Sequence, residues 1–439
     1  MTQDFLFNST RRGFLGLAAG AGALLATGAA QQAAAQVATN ANILILGAGA
    51  AGTTLANRLV HRLDGARITL VDGREEHWYQ PGFSLIATGL KPKNYAVSQT
   101  MDWLPSGVTL KKDWAASIDP ETRKVALQSG EVLDYDYLIV ATGLTLDHDA
   151  IEGFSLDLVG RDGIGALYAG PEYAARTWQA VSAFTESGGT GLFTRPATEM
   201  KCASAPLKHA FLTDDLARKS GMRGRMDLHY MSNNASLFGV PIVSEKVRML
   251  FEDRGIAPDY SHVLRSMDPG AKRATFDTPN GPVERDYDYI HVIPPQRAPD
   301  VIRQSGLSWA DKWTDQGWVE VDMHSLRHNR YPEVFAVGDV AGVPKGKTAA
   351  SVKWQVPVVE EHLVAQIAGD TTDASYNGYT SCPLITRVGR AMLIEFDYNN
   401  NLTPSFPGII APLEELWISW LMKEVALKAT YNAMLRGKA

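Results

Sequence analysis

Cys202 and Cys382 are the only two cysteines in the 439 residues, and the setting of the first is unusual. It lies in "GLFTRPATEMKCASAPLKHAF", residues 191–211, which reads as an apolar strand, a turn and a helix beginning near Pro206. In a nucleotide-binding unit such a turn carries closely spaced glycines, so that backbone N–H groups can close on a phosphate. Here it carries Arg195, Pro196, Lys201 and Cys202. Pro196 has no N–H to offer. Lys201 and Lys208 flank Cys202, and positive charge beside a helix N-terminus favours a thiolate. Cys382, between Ser381 and Pro383, reads as a loop residue. Two thiols so far apart make neither a C-x-x-C redox motif nor a zinc site, and could meet only through the fold. Two readings are open at this point: a reactive pair, or two small buried hydrophobes.

The elements that would position them begin at "NILILGAGAAGTTLANRL", residues 42–59. Ile43 to Leu46 have the unbroken apolar character of a buried parallel strand. Gly47, Gly49 and Gly52, with Ala48 and Ala50 between them, supply G-x-G-x-x-G directly after it. The first glycine permits the tight turn, the second a close approach to a pyrophosphate, and the third close helix–strand packing. The next strand, "ARITLVD", ends at Asp72, where an acid accepts from ribose hydroxyls. Two later strands, "YDYLIVATG" ending at Ala141, Thr142 and Gly143, and "EVFAVGDVAG" with Gly338 and Asp339, resemble the further fingerprints of flavoproteins with two dinucleotide-binding domains. That order implies FAD, with Ala115 also among its contacts. A second dinucleotide domain should start near residue 185. Without its glycines it should keep the fold and lose the nucleotide, so NADH is not the expected reductant.

Composition sets outer bounds. A net charge of -6 argues against general nucleic-acid binding. Arg11 and Arg12, ahead of a Gly/Ala-rich apolar run and "AAA" at residues 33–35, resemble a twin-arginine export signal cut after Ala35, with a plain N-terminal anchor as the other reading. The mature chain is then expected on the periplasmic side. Residues 409–435 carry Leu416, Trp417, Ile418, Trp420, Leu421 and Val425, interrupted by Glu414, Glu415, Lys423 and Glu424. They predict amphipathic helices lying on one leaflet rather than crossing it, or else a core or subunit contact.

On "HWYQPGFSL", "KCASAPLK", "GKTAAS", "TSCPLIT", "EFDYN", "LMK" and "NAMLRG", the chain resembles sulfide:quinone oxidoreductases of the class that includes the mitochondrial enzymes, from Asn42 to Gly437. The resemblance implies an α/β fold with two Rossmann-like domains: a signal over 1–35, FAD-binding segments 40–150 and 300–380, a vestigial nucleotide domain over 151–299, and a C-terminal segment 381–439 on the quinone and membrane side. It implies that Cys202 faces flavin C4a and that Cys382 receives sulfide sulfur across a sulfur-bridged pair. It places Lys347 and Lys423 near the flavin or quinone, against the alternative of solvated surface lysines. Some relatives attach FAD through an N-terminal cysteine, and one type passes electrons to a haem subunit. This chain has no cysteine in that region and no C-x-x-C-H, so FAD should be noncovalent. The expected partners are sulfide, quinone, the membrane surface, and a sulfur acceptor such as sulfite or a thiol. A homo-oligomer is compatible with this, and an exported dehydrogenase using cytochrome c or NADH is the alternative. Removing the chain beyond Ile409 is expected to leave FAD and both cysteines in place.

Overall fold

The computed structural model describes residues 36–439, so the expected export signal lies outside the described residues. Along the chain the first unit contains β1 (Asn42–Leu46), α1 (Ala50–Arg62), β2 (Arg67–Val71), β3 (Val108–Lys111) and β4 (Tyr137–Val140). The second contains β5 (Ile164–Gly165), α2 (Pro171–Ser187), β6 (Gly189–Thr194), α3 (Ala205–Lys219), β7 (Met226–Met231), α4 (Pro241–Arg254), β8 (Ile256–Asp259) and β9 (Tyr289–His291). β10 (Val334–Ala336) and α5 (Ala349–Ala368) follow, then the hairpin β11 (Thr380–Arg387) and β12 (Arg390–Phe396), α6 (Trp417–Leu421), a π-helical turn at Met422–Ala426, and α7 (Leu427–Leu435).

Two parallel five-stranded sheets result. The first runs β10–β4–β1–β2–β3 and the second β5–β9–β6–β7–β8. Leu138 pairs with both Leu44 and Val334, so β10 returns from far along the chain to complete the first sheet. Ile43 to Leu46 and Leu138 to Val140 are all buried, as expected for strands covered on both faces. α5 packs on α1, and the buried Glu360 accepts from Arg58 and Arg62 at that contact. The fold class is the α/β, two-Rossmann-domain one read from the sequence.

The C-terminal segment departs from a simple surface helix. Trp420 packs with Leu85, Leu212, Ile385 and Ala391, and Met434 and Leu435 are buried in the main core. Trp417, Ile418 and Val425 are exposed, and Ile409 is 76% exposed. Among the described residues no helix is long and apolar enough to cross a membrane.

Candidate active site

The glycine turn after β1 is built to receive a phosphate. Gly47 has φ +105°, and a Cβ there would lie 2.4 Å from the Ala141 carbonyl oxygen. A Cβ on Gly52 would lie 1.9 Å from the Gly47 oxygen, so α1 could not seat against the turn. At Gly49 a Cβ would point into open space, and no side chain caps α1 there. The first N–H groups of the helix are thus left for an anion. Asp72 directly follows β2, accepting from the Ala48 N–H at 2.7 Å and the Arg74 N–H at 2.8 Å. Thr142 Oγ1 and Arg74 Nε are buried without a partner among the described residues. The cradle, the bare helix end and the unmatched polar atoms fit FAD.

A cavity of about 320 Å³ joins this turn to both cysteines. Gly47, Gly49, Ala50, Asp72, Thr142, Gly143, Gly338, Asp339, Lys347 and Lys423 all line it. Ala48 reaches it indirectly, its N–H held by Asp72. Gly52 sits beneath the turn. Ala115 does not line the cavity: it opens an antiparallel strand, next to Trp114, whose indole covers Gly73. Gly338 adopts φ +81° and donates its N–H to Gln355 Oε1, so that amide is already engaged.

The two thiols, remote in sequence, meet here as free cysteines. Cys202 lies in the loop between β6 and α3 with φ +45°, a conformation a non-glycine residue adopts at a cost of about 1–3 kcal/mol. Its backbone is pinned: the N–H donates to the Lys347 carbonyl at 2.9 Å, and the carbonyl accepts from Ala205 N–H and the Tyr168 hydroxyl, both at 2.8 Å. Cys382 is not the loop residue its neighbours suggested. It belongs to β11, opposite Ile394, and is 3% exposed in a packed cluster; Pro383 is tolerated there because the two-stranded hairpin leaves one edge of β11 without a strand partner.

The sulfurs differ electrostatically. Cys202, mostly buried at the cavity wall, is held well below the ordinary thiol range. A hydrogen bond from Cys382 is the main cause, opposed by burial and aided by the charge of Lys208, whose ammonium donates to the sulfur at 3.4 Å. Cys382 is pushed well up, by its bond to the Cys202 sulfur and by burial. Of the two flanking lysines, only Lys208 reaches the thiol. Lys201 lies over the Tyr168 ring, and burial lowers it to about 8 against the pull of Asp339.

Lys347 and Lys423 are not surface lysines. Lys347 is 7% exposed, donates to the Asp339 carbonyl at 2.6 Å, and stands over Trp318. Lys423 is 2% exposed and donates to the Pro81 carbonyl at 2.9 Å; burial, then Lys208, lowers it to about 7. With Arg74, Lys201 and Lys208 they set five basic side chains against Asp72 and Asp339 around one cavity. Sequence reasoning missed Tyr168 and His77, neither of which stands in a spacing that announces a role. His77 joins Ala48 to the C-terminal helix: Nδ1 is 3.3 Å from the Ala48 carbonyl and Nε2 is 2.7 Å from the Tyr431 hydroxyl.

Residues 41–165 match the family model described as pyridine nucleotide-disulphide oxidoreductase. Mitochondrial sulfide:quinone oxidoreductase of Mus musculus is 33% identical over 403 residues, covering 90% of this chain and 86% of that protein. The mitochondrial enzyme of Dictyostelium discoideum is 34% identical over 397 residues, with the same coverage. The solved structure of the Aquifex aeolicus sulfide:quinone oxidoreductase superposes with a TM-score of 0.77 at 20% identity, over 90% of this chain and 92% of that one, which supports the fold. By identity over nine tenths of its length, and by a cavity that joins a dinucleotide turn to two thiols, the chain belongs to the sulfide:quinone oxidoreductase family of FAD-dependent oxidoreductases.

Proposed function

We propose that sulfide is oxidised at a Cys202–Cys382 sulfur-bridged pair, with electrons leaving to membrane quinone. The observation that carries this reading is the polarised pair itself: a Cys202 sulfur held low by the hydrogen bond from Cys382 and by the Lys208 ammonium at 3.4 Å, beside a Cys382 sulfur pushed up by that same bond and by burial. In the bridged form HS⁻ attacks Cys382 Sγ. The bond to Cys202 breaks, its electron pair stays on Cys202, and Cys382 carries a persulfide. The sulfur with the lower thiol pKa is the better leaving group, which assigns departure to Cys202. Lys208 meets the new negative charge, and the Cys202 backbone, tied to Lys347 and Tyr168, keeps the sulfur in place. The basic lining concentrates HS⁻ in the cavity.

The chemistry supplied by bound FAD is two-electron transfer between thiol and quinone. Gly47, Gly49, the α1 N-terminus and Asp72 would hold its adenosine and pyrophosphate side, and Lys347, Asp339 and Lys423 the other. Lys423, near pH 7 in its titration, can hold or release a proton on that side. The persulfide sulfur passes to sulfite or to growing polysulfide. The setting is the periplasmic face of the inner membrane, reached by the twin-arginine route; Arg11–Arg12 with the apolar run after them, and the exposed Trp417, Ile418 and Val425, support it.

Anaerobic addition of sulfide to the purified yellow protein tests the reading. The flavin bands should bleach and return on adding a quinone analogue. Cys202→Ser should abolish bleaching, and Cys382→Ser should abolish turnover. Full activity in either variant would sink the mechanism.

A further inference from the structure

Ser204 stands immediately before α3, where a serine side chain ordinarily accepts from the second or third N–H of the helix. Here it caps nothing. The local sequence gives the reason. The second helical residue is Pro206, which has no N–H to donate. Ser204 itself has helical backbone angles, φ −89° and ψ −5°, in place of the extended ones of a capping residue. The turn that begins at Cys202 is closed by the Ala205 N–H on the Cys202 carbonyl at 2.8 Å, and it brings the serine back to the thiol. Ser204 is fully buried, and its Oγ lies 3.9 Å from Cys202 Sγ, a long hydrogen bond to a sulfur. A thiolate has no proton to give, so the serine is the donor.

Two other groups serve that sulfur: Cys382, through its S–H, and Lys208 at 3.4 Å. Their fates differ in the reaction. When HS⁻ opens the bridge, Cys382 Sγ is bonded to the incoming sulfur and has no hydrogen to donate. The donor that does most for Cys202 in the reduced pair is then missing as Cys202 takes the electron pair. Lys208 and Ser204 remain. Behind the Cys382 bond and Lys208, Ser204 is the remaining hydrogen-bonding group that draws the Cys202 thiol down. It also draws Cys382 down, against the larger upward push from Cys202 and burial. Its hydroxyl is thus within reach of both ends of the bond that breaks.

We propose that Ser204 is a catalytic residue, whose hydroxyl donates to Cys202 Sγ as that sulfur leaves the bridge. The assignment rests on the bridged-pair reading above and adds a residue to it. The incoming sulfur forms its bond to Cys382, the Cys382–Cys202 bond breaks, and the electron pair of that bond stays on Cys202. The serine proton stays on Oγ throughout. Its hydrogen bond strengthens as negative charge develops on the sulfur, so it favours the transition state over the bridged ground state.

The test is stopped-flow bleaching of the flavin by sulfide in Ser204→Ala and Ser204→Gly, with flavin content as the check on folding. The limiting rate should fall about fivefold in both, the worth of one hydrogen bond. The half-saturating sulfide concentration should not change, because Ser204 is buried and does not line the cavity. Glycine is nearly as good as serine at a helix start and alanine is not. A loss confined to Ser204→Ala would therefore mark a helix-end effect and overturn the proposal. The second readout is the pH midpoint for alkylation of Cys202 by iodoacetamide, in a Cys382→Ala background where it is the only thiol. Removing the hydroxyl should raise that midpoint by about 0.7 of a pH unit, the same fivefold. Lys208 on α3, Lys201 in the loop, Lys423 on the C-terminal segment, Asp339 beyond β10, and Tyr79 and Tyr168 also face this sulfur. All six are common to the two proteins compared, so the difference belongs to Ser204. An unmoved midpoint, or an unchanged bleaching rate in both variants, overturns the role of Ser204 and leaves the bridged pair standing. Wild-type enzyme that does not bleach with sulfide, or a Cys202→Ser variant that bleaches at the full rate, overturns the pair and the serine together.

Discussion

After the hydrogen bond from Cys382, the charge of Lys208 does most to hold the Cys202 sulfur ionised. Lys208→Met removes that charge while keeping the stem, so the Cys202 thiol should rise. Each unit of rise cuts the thiolate fraction about tenfold at a pH below its pKa. The rate of sulfide-driven flavin bleaching should fall about tenfold near neutral pH and recover as pH is raised, measured by stopped-flow absorbance from pH 6 to 9. A uniform loss at all pH values would contradict this role. Part of this was legible in the sequence: Lys208 stands in "KCASAPLK", and its charge near a helix start announced a thiolate. The reach of its ammonium was not, because Lys201 is closer in sequence, adjacent to Cys202, yet turns away to Tyr168 and Asp339. Nor was Lys423: its neighbours Glu424 and Lys428 make it look solvated, and only the chain fold buries it against Pro81.

At the level of elements, the strand–turn–helix around Gly47 could be read residue by residue because each glycine answers a local steric demand. Gly52→Ala should reduce the flavin content of the purified protein more than tenfold, since its methyl would overlap the Gly47 carbonyl. Absorbance at the flavin bands relative to protein would show it. β11 was misread because Ser381 and Pro383 are loop-like residues, and the cross-strand partners that make it a strand, Leu393 to Glu395, are supplied by β12. At the edge of the second sheet, His229 on β7 bonds Asp259 on β8 at 2.6 Å and Asp227 at 3.0 Å. These bonds, chiefly that to Asp259, raise it to about 9. Because the folded value lies above the unfolded value of 6.5, the stabilisation is fully present below about pH 6.5. It is lost as pH rises through about 9. The site is half-exposed, so solvent screening cuts the effect to about 1 kcal/mol. Urea denaturation at pH 6 and pH 9.5 should show that difference, and His229→Asn should remove it.

For the whole molecule, the C-terminal segment serves two surfaces. Lys423, Leu427 and Tyr431 line the cavity, while Trp417, Ile418 and Val425 face outward. Truncation beyond Ile409 therefore opens the cavity wall, contrary to the expectation that it would leave the cofactor side intact. The truncated protein should lose flavin as well as membrane affinity. A separable test is Trp417→Ser with Val425→Ser, which should keep the flavin and weaken co-sedimentation with anionic vesicles at least tenfold, by loss of about 1.5–3 kcal/mol of apolar burial per side chain. The sequence showed the amphipathic composition of this segment but not its inward face, because the partners of Trp420 lie on four other elements. The His77 bridge carries a further consequence. Burial pushes His77 down to about 4, so this imidazole stays neutral at physiological pH and protonation does not disturb its link between the Ala48 carbonyl and Tyr431. Whatever steadies the loop at Ala48 also steadies the seat of α7, and the dependence runs both ways. On the membrane setting proposed above, assembly then acquires an order: a chain with an empty dinucleotide turn would offer the bilayer a loosened foot, and a chain that has filled it would arrive with its foot set.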